Sequence, residues 1–212
     1  SFRIINIGWI NEMAMMCHQL GIDVWEVIEA AKTNPFGFMP FYPGLGVGGH
    51  CIPDDPLYLF WKARLHGFHS KFIKLAADVN AQMPAYAVKR LEKIFQGKDK
   101  PFFRTQWLVI GVTYKKDVKD LRKSPSLELI ELLQRKGCGV DYFDPVIPYL
   151  RMNQINLVCV ALSKEVLASY DGVIIATDHS HLNYKLIRRH ARFIFDIRNA
   201  YRGVSDKKII KL

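Results

Sequence analysis

The residues with the strongest chemical potential lie in FYPGLGVGGHCIPDDPLYL, residues 41–59. Here a single cysteine, Cys51, sits between a glycine-rich run and a Pro-Asp-Asp-Pro turn. Glycines at 44, 46, 48 and 49 let a backbone approach a ligand with no side chain in the way. Asp55 reads as the N-cap of a following helix and Pro56 as its first helical residue. A thiol in the field of a helix N-terminus is the setting in which cysteine acts as a nucleophile. Attack on an aldehyde gives a thiohemiacetal, and loss of hydride from that adduct gives a thioester. Asp55, four residues on, is placed to act as a base, to cap the helix, or both. The plainer alternative is a loop between two helices with a thiol that takes no part in chemistry. His50 is adjacent, but neighbours in an extended segment point opposite ways, so no Cys-His dyad is expected.

Three further groups carry chemical potential. In YKKDVKDLRKSP, 114–125, Ser124-Pro125 opens a helix and Lys115, Lys116, Lys119, Arg122 and Lys123 crowd the loop before it. A helix N-terminus beside basic residues suits phosphate, and Asp117 and Asp120 neutralise it in part. The alternative is a solvated charged loop. Arg198, in FDIRNAYRG, follows a strand and either reaches the same crevice or lies free on the surface. His179 and His181 in ATDHSHLNY lack a third ligand at suitable spacing, so no metal is expected.

Composition narrows the partners. The formal net charge of +10 favours an anion, but the basic residues are scattered. None forms the dense block of a nucleic-acid arm, which leaves a phosphorylated metabolite as the expected partner rather than nucleic acid. Four cysteines with no C-x-x-C pair argue against a disulfide framework or a zinc site, and a reducing cytoplasm is expected. No apolar run reaches bilayer length, so no membrane partner is expected. The chain opens on Ser-Phe-Arg inside a helical pattern, with no signal peptide, and reads as a fragment.

These residues need elements to position them. The first half is helical in pattern: residues 2–20, closed by Gly21, then VWEVIEAAK capped by Asp23 and fading by Thr33-Asn34-Pro35. A long apolar loop, 33–53, leads to helices over about 55–66 and 70–96, the second expected to kink at Pro84. After a polar stretch at 97–105 the rhythm changes. Short apolar β-rich runs at 107–112, 138–144, 157–161, 172–177 and 192–196 alternate with helical ones. That alternation predicts an α/β fold, with an all-helical region at 1–97 followed by a Rossmann-like parallel sheet at 98–212. Ligands in such sheets bind at the carboxyl ends of strands, so the loop after Gly111 is the place to look. No GxGxxG follows that first strand, so a dinucleotide is not expected there.

Together the residues resemble the nucleotide-sugar 6-dehydrogenases, which oxidise UDP-sugars at C6. The matching landmarks are NE at 11–12, GIDVWEVIEAAKTNPFGF at 21–38, PGLGVGGHCIPDDP at 43–56, YKKDVKDLRKSP at 114–125, YFDPVIP at 142–148, and TDH and DIRNA beyond. GGHCIP with PFGFMPFYPG is most similar to the enzymes acting on UDP-N-acetylhexosamines, the gluco or the manno epimer. The resemblance implies that Cys51 is the nucleophile and Asp55 its acid/base support. It implies two successive oxidations by NAD through a thiohemiacetal and a thioester, with the uronic acid as product. Phe41, Tyr42, Gly44 and Gly48 are similar to the segment that wraps the sugar nucleotide. Tyr114, Lys115 and Arg198 match UDP-site positions, and Arg122 matches one near the NAD diphosphate. Family members are dimers joined through their central helices, which points to the helices at 2–20 and 70–96. They also begin with an NAD-binding domain and carry a catalytic lysine and asparagine, and nothing in this sequence matches those. The expectation is therefore a central plus UDP-binding portion that binds UDP-sugar without turning it over. The competing expectation is a non-catalytic UDP-sugar-binding and dimerisation module.

Overall fold

The computed structural model describes residues 1–152 and 154–212. Four helices come first: α1 (Phe2–Leu20), α2 (Val24–Ala31), α3 (Cys51–Leu65) and α4 (Lys71–Phe95). Gly21 ends α1 in the left-handed region at φ 72°, and Ile22 N–H bonds back to Cys17 O at 2.9 Å. Asp23 caps α2, its Oδ1 accepting from Trp25 N–H at 2.9 Å. α4 buries Ile73, Ala76, Val79, Asn80, Met83, Ala87 and Leu91 at helical spacing, and it packs on α1. A Cβ on Gly8 would come within 2.9 Å of Ala76 Cα, which is why the two backbones approach so closely there. Two buried asparagines fasten the loop that follows α2. Asn11 Nδ2 donates to Asn80 Oδ1 at 2.9 Å, while Asn11 Oδ1 accepts from Gly44 N–H at 2.9 Å.

The second half carries β1 (Gln106–Ile110), α5 (Pro125–Arg135), β2 (Gly139–Phe143), β3 (Tyr149–Met152), β4 (Ile155–Val158), α6 (Lys164–Ser169), β5 (Gly172–Ile175), α7 (Tyr184–His190), β6 (Ile194–Asp196) and β7 (Ile209–Lys211). Five strands form one parallel sheet in the order β2-β1-β5-β6-β7. The chain leaves β1 toward β2 and later returns to β1's other side with β5, so the order reverses there. That reversal is where doubly wound sheets open a ligand crevice.

Three expectations need correction. The run 157–161 is not a full parallel strand: Ile155–Val158 pairs antiparallel with Tyr149–Met152, and only Cys159 bridges Tyr142 in the parallel sense. An apolar run shows that a segment extends, not which neighbour completes its hydrogen bonds. β7 was not expected, because its short apolar stretch sits among lysines. α3 begins at Cys51, not at Asp55, with His50 as N-cap and Pro56 inside the helix. Pro53 lies in the first turn, where backbone N–H groups have no partner to lose, so it does not stop the helix from starting early.

The helical and sheet portions share one core. Met83, Ala87 and Leu91 of α4 belong to the same buried cluster as Trp107 and Val109 of β1 and Ile130 and Leu133 of α5. Phe95, Phe102 and Phe193 ring Trp107 at centroid distances of 5.1, 6.1 and 6.1 Å, and Trp107 Nε1–H donates to Thr105 Oγ1 at 2.8 Å.

Candidate functional site

A cleft of about 480 Å3 opens at the carboxyl ends of β1, β5 and β6. Its walls include Trp25, Tyr42, Tyr114, Lys115, Thr177 and Arg198. Trp25 and Tyr42 stack with ring centroids 6.0 Å apart and planes 18° from parallel, giving the helical side a flat aromatic wall. Arg198 enters from the end of β6. Its Nε donates to Asp178 Oδ1 at 3.2 Å, and a Cβ on Gly44 would come within 2.5 Å of its Nη1. Lys115 and Lys116 flank the opening, and the first turn of α5 contributes Pro125 and Ser126. Ser124 Oγ, at that helix's N-cap, is buried and makes no hydrogen bond.

The loop carrying Tyr114 and Lys115 is fixed by a buried pair. Asp144 Oδ2 accepts from Val112 N–H at 2.8 Å, and its Oδ1 accepts from Val146 N–H at 2.9 Å. His179 is fully buried, with Nε2 3.1 Å from Asp144 Oδ2 and Nδ1 accepting from Asp117 N–H at 3.0 Å. Because Nδ1 accepts, the ring proton sits on Nε2 and is donated to the carboxylate. Burial pushes the Asp144 carboxyl upward, but the His179 N–H and the Val146 and Val112 amides outweigh it and hold it below the usual carboxylate range. His179 is thus a strut of the cleft floor. Among the described residues no three His, Cys, Asp or Glu side chains converge as a metal would require.

Cys51 lies beyond the rim, exposed, as the first residue of α3. Its loop is clamped onto the loop before α5. Gly49 N–H donates to Arg122 O at 2.8 Å, and Lys123 Nζ pairs with Asp54 in the first turn of α3. A Cβ on Gly48 would meet Tyr114 Cβ at 2.5 Å, and one on Gly49 would meet the Tyr114 ring at 2.9 Å. Tyr114 therefore serves as a wall of the cleft and as the surface against which the cysteine loop stops.

The structure thus gathers Tyr42, Tyr114, Lys115 and Arg198 in one cleft, with Gly44 and Gly48 packed directly on two of them. Phe41 instead packs edge-on against Phe2, with centroids 5.8 Å apart. Asp55 is exposed on α3. Arg122 Nη2 meets Asp120 Oδ2 at 2.6 Å, and its Nε lies 3.0 Å from both Asp120 oxygens. Sequence reasoning read Lys123 as a phosphate-site cation and not as the partner of Asp54, and it missed Trp25, Asp54 and the Asp144–His179 pair. The last was signalled only by an Asp and a His each following a strand end. Arg198, Asn80, Tyr114 and Lys123 pack directly against the glycine run, at Gly44, Gly46, Gly48 and Gly49.

Residues 1–82 match the central domain of the UDP-glucose/GDP-mannose dehydrogenase family, and residues 108–203 match that family's UDP binding domain. This chain belongs to that family. It is 33% identical to a UDP-N-acetyl-D-glucosamine 6-dehydrogenase from Pseudomonas aeruginosa, over 99% of this chain and 50% of the relative. It is 35% identical to a UDP-N-acetyl-D-mannosamine dehydrogenase from Pyrococcus horikoshii, over 94% of this chain and 46% of the relative. A solved structure of a UDP-D-ManNAc dehydrogenase from Pyrococcus horikoshii superposes with a TM-score of 0.82 at 30% identity, covering 99% of this chain and 49% of that one. The chain thus spans about half the length of the curated relatives it matches. The match to the UDP binding domain contains the β1, β5 and β6 ends that form the cleft. Among the described residues no helix is long and apolar enough to cross a membrane.

Proposed function

We propose that this chain is the substrate-holding part of a cytoplasmic UDP-N-acetylhexosamine 6-dehydrogenase, with units at 1–97 and 98–212. The observation that carries the reading is the cleft at the sheet's reversal point. There, Lys115 and Arg198 approach from two strand ends beneath a stacked Trp25–Tyr42 wall. Two cations suit a diphosphate, and flat aromatic surface suits a base or a sugar face. The relatives' names favour an N-acetylhexosamine as the sugar, in either epimer.

Cys51 is the proposed nucleophile. Its sulfur adds to the C6 aldehyde carbon, a C–S bond forms, and the carbonyl π pair moves to oxygen, which takes a proton. Asp55, one helical turn on, is the proposed acid/base support; loss of hydride from the thiohemiacetal carbon to a bound acceptor would leave a thioester, whose C–S bond water then breaks to release the acid and the thiol. Hydride acceptance is the chemistry NAD would supply when bound, and Arg122 is the residue of this chain proposed to lie near its diphosphate. The 212 residues, which span about half the length of the relatives they match, are proposed to bind UDP-sugar without oxidising it. Homodimerisation through the central helices is proposed from apolar side chains left in solvent, namely Trp9 and Met16 on α1, Tyr58 and Trp61 on α3, and Phe72 and Leu75 on α4.

Calorimetry with UDP tests the binding reading: saturable binding, lost in Lys115→Ala/Arg198→Ala, is expected. Equal affinity in that double variant sinks it. NADH formation by the chain alone, with UDP-N-acetylhexosamine and NAD added, contradicts the inactivity. In a longer protein bearing this segment, full oxidation after Cys51→Ser removes the nucleophile and leaves a binding module.

A further inference from the structure

Among the described residues three non-glycine positions adopt a positive φ: Asp117 at 60°, Lys123 at 48° and Asn199 at 54°. Asp and Asn enter the left-handed region readily because their short polar side chains bond locally. Asp117 is further held there, accepting from Ser180 N–H at 2.9 Å and from Ser180 Oγ–H at 2.6 Å. A lysine has no such compensation. Lys123 stands third in a turn closed by Ser124 N–H to Leu121 O at 3.1 Å, a place where a positive φ ordinarily selects Gly or Asn. Stability does not account for the choice. The Lys123 ammonium pairs with Asp54, but the lysine side chain is 56% exposed, and ion pairs so open to water contribute little. A left-handed residue kept without a gain in stability points to a function.

What the turn touches shows which one. Arg122 O accepts from Gly49 N–H at 2.8 Å, and Lys123 O lies 2.8 Å from where a Cβ on Gly48 would stand. Lys123 Nζ reaches past both to Asp54, in the first turn of α3. One turn thus grips the chain on either side of Cys51, at Gly48 and Gly49 before it and at Asp54 after it. The same segment is tied to the cleft wall, since Tyr114 N–H donates to Asp120 O at 3.2 Å. Arg122 is held above its ordinary pKa first by Asp120 and then by Tyr114 and Cys51, so wall and thiol lie within electrostatic reach of one guanidinium.

We propose that Lys123 is a positioning residue for Cys51. Its left-handed backbone and its bond to Asp54 fix the sulfur relative to Tyr114, so that a sugar carried on a diphosphate in the cleft is presented to it. This rests on the reading of the cleft as a UDP-sugar site.

The test is alkylation of Cys51 by iodoacetamide, followed by mass spectrometry. It is run without ligand, with saturating UDP, and with saturating UDP-N-acetylglucosamine or its manno epimer, whichever binds more tightly by calorimetry. In the parent chain the UDP-sugar should slow alkylation at least tenfold and UDP alone less than threefold. Lys123→Gly relieves the backbone while cutting the tether. It should keep UDP affinity within twofold and Tm within about 2 °C, yet lose sugar-dependent protection to threefold or less. The exchange Asp54→Lys/Lys123→Asp remakes the pair and should restore at least half of the protection. Full protection in Lys123→Gly, or no recovery in the exchange, overturns the proposal. Should Lys123→Gly not fold, Asp54→Asn decides in its place, and full protection there overturns it equally. UDP binding without sugar-dependent protection in the parent overturns the proposal alone, whereas no UDP binding in the parent removes the reading of the cleft and the proposal with it.

Discussion

Gly48→Ala isolates the contact on which the cysteine loop depends. Gly48 does not need a left-handed backbone, so its replacement tests space alone. The new methyl carbon would lie 2.5 Å from Tyr114 Cβ, 2.8 Å from Lys123 O and 3.2 Å from Pro125 Cδ. None of these is the free end of a flexible side chain: one is the root of a side chain, one is backbone and one belongs to a ring. Relief requires the two loops to part, and overpacking of this kind costs about 1–3 kcal/mol. For a chain of this length that corresponds to a fall in Tm of roughly 2–12 °C. Because Tyr114 also walls the cleft, UDP affinity should fall with it. Thermal unfolding by circular dichroism and UDP calorimetry on the same preparation read both effects. A Tm within about 1 °C of the parent, with unchanged UDP affinity, would refute the reasoning, because the methyl would then have found room that the packing denies it.

Other consequences can be checked by simpler means. Replacing Arg198 alone with Ala should weaken UDP binding by about 1.5–3 kcal/mol, the worth of a charge-assisted hydrogen bond, and the loss should shrink as salt is raised. Asp144 is held below its ordinary pKa, so its stabilising contribution is complete above the unfolded carboxyl value of about 3.9 and disappears as pH falls through the lower folded one. Asp144→Asn should therefore remove part of the acid-unfolding slope below about pH 4 while lowering stability at neutral pH, as pH-dependent denaturation would record. Cys51 is exposed whereas Cys17 and Cys138 are buried, so iodoacetamide should modify it first, and Cys51→Ser should abolish the fast phase seen by mass spectrometry.

Local signals in the sequence carried much of this. The Gly21 stop and the Asp23 cap are single-residue devices whose chemistry acts within one turn, and both appear where the pattern places them. The alternation of β-rich and helical runs likewise indicated the parallel sheet. Partner choice was not legible. The apolar run 157–161 turns away to pair with Tyr149–Met152, and this depends on a neighbour that carries no mark of its own. The start of α3 was misplaced because Asp55-Pro56 is a good opening signal, yet His50 already begins the helix four residues before Asp54, whose N–H bonds to His50 O at 3.1 Å. At the site, Lys115 and Arg198 stood out as cations beside strand ends. Trp25 did not, because an aromatic residue on an amphipathic helix looks the same whether it faces the core or a cleft.

The shared core has a practical consequence for anyone dividing this chain. Cutting within residues 97–105 would strip Trp107, Ile130 and Leu133 of the α4 side chains that cover them, and would leave Met83, Ala87 and Leu91 facing water. Each piece would then carry an uncovered apolar face, so the two should fold only when mixed. The intact chain should melt in a single calorimetric step, whatever its pattern of helices and strands suggests about two modules.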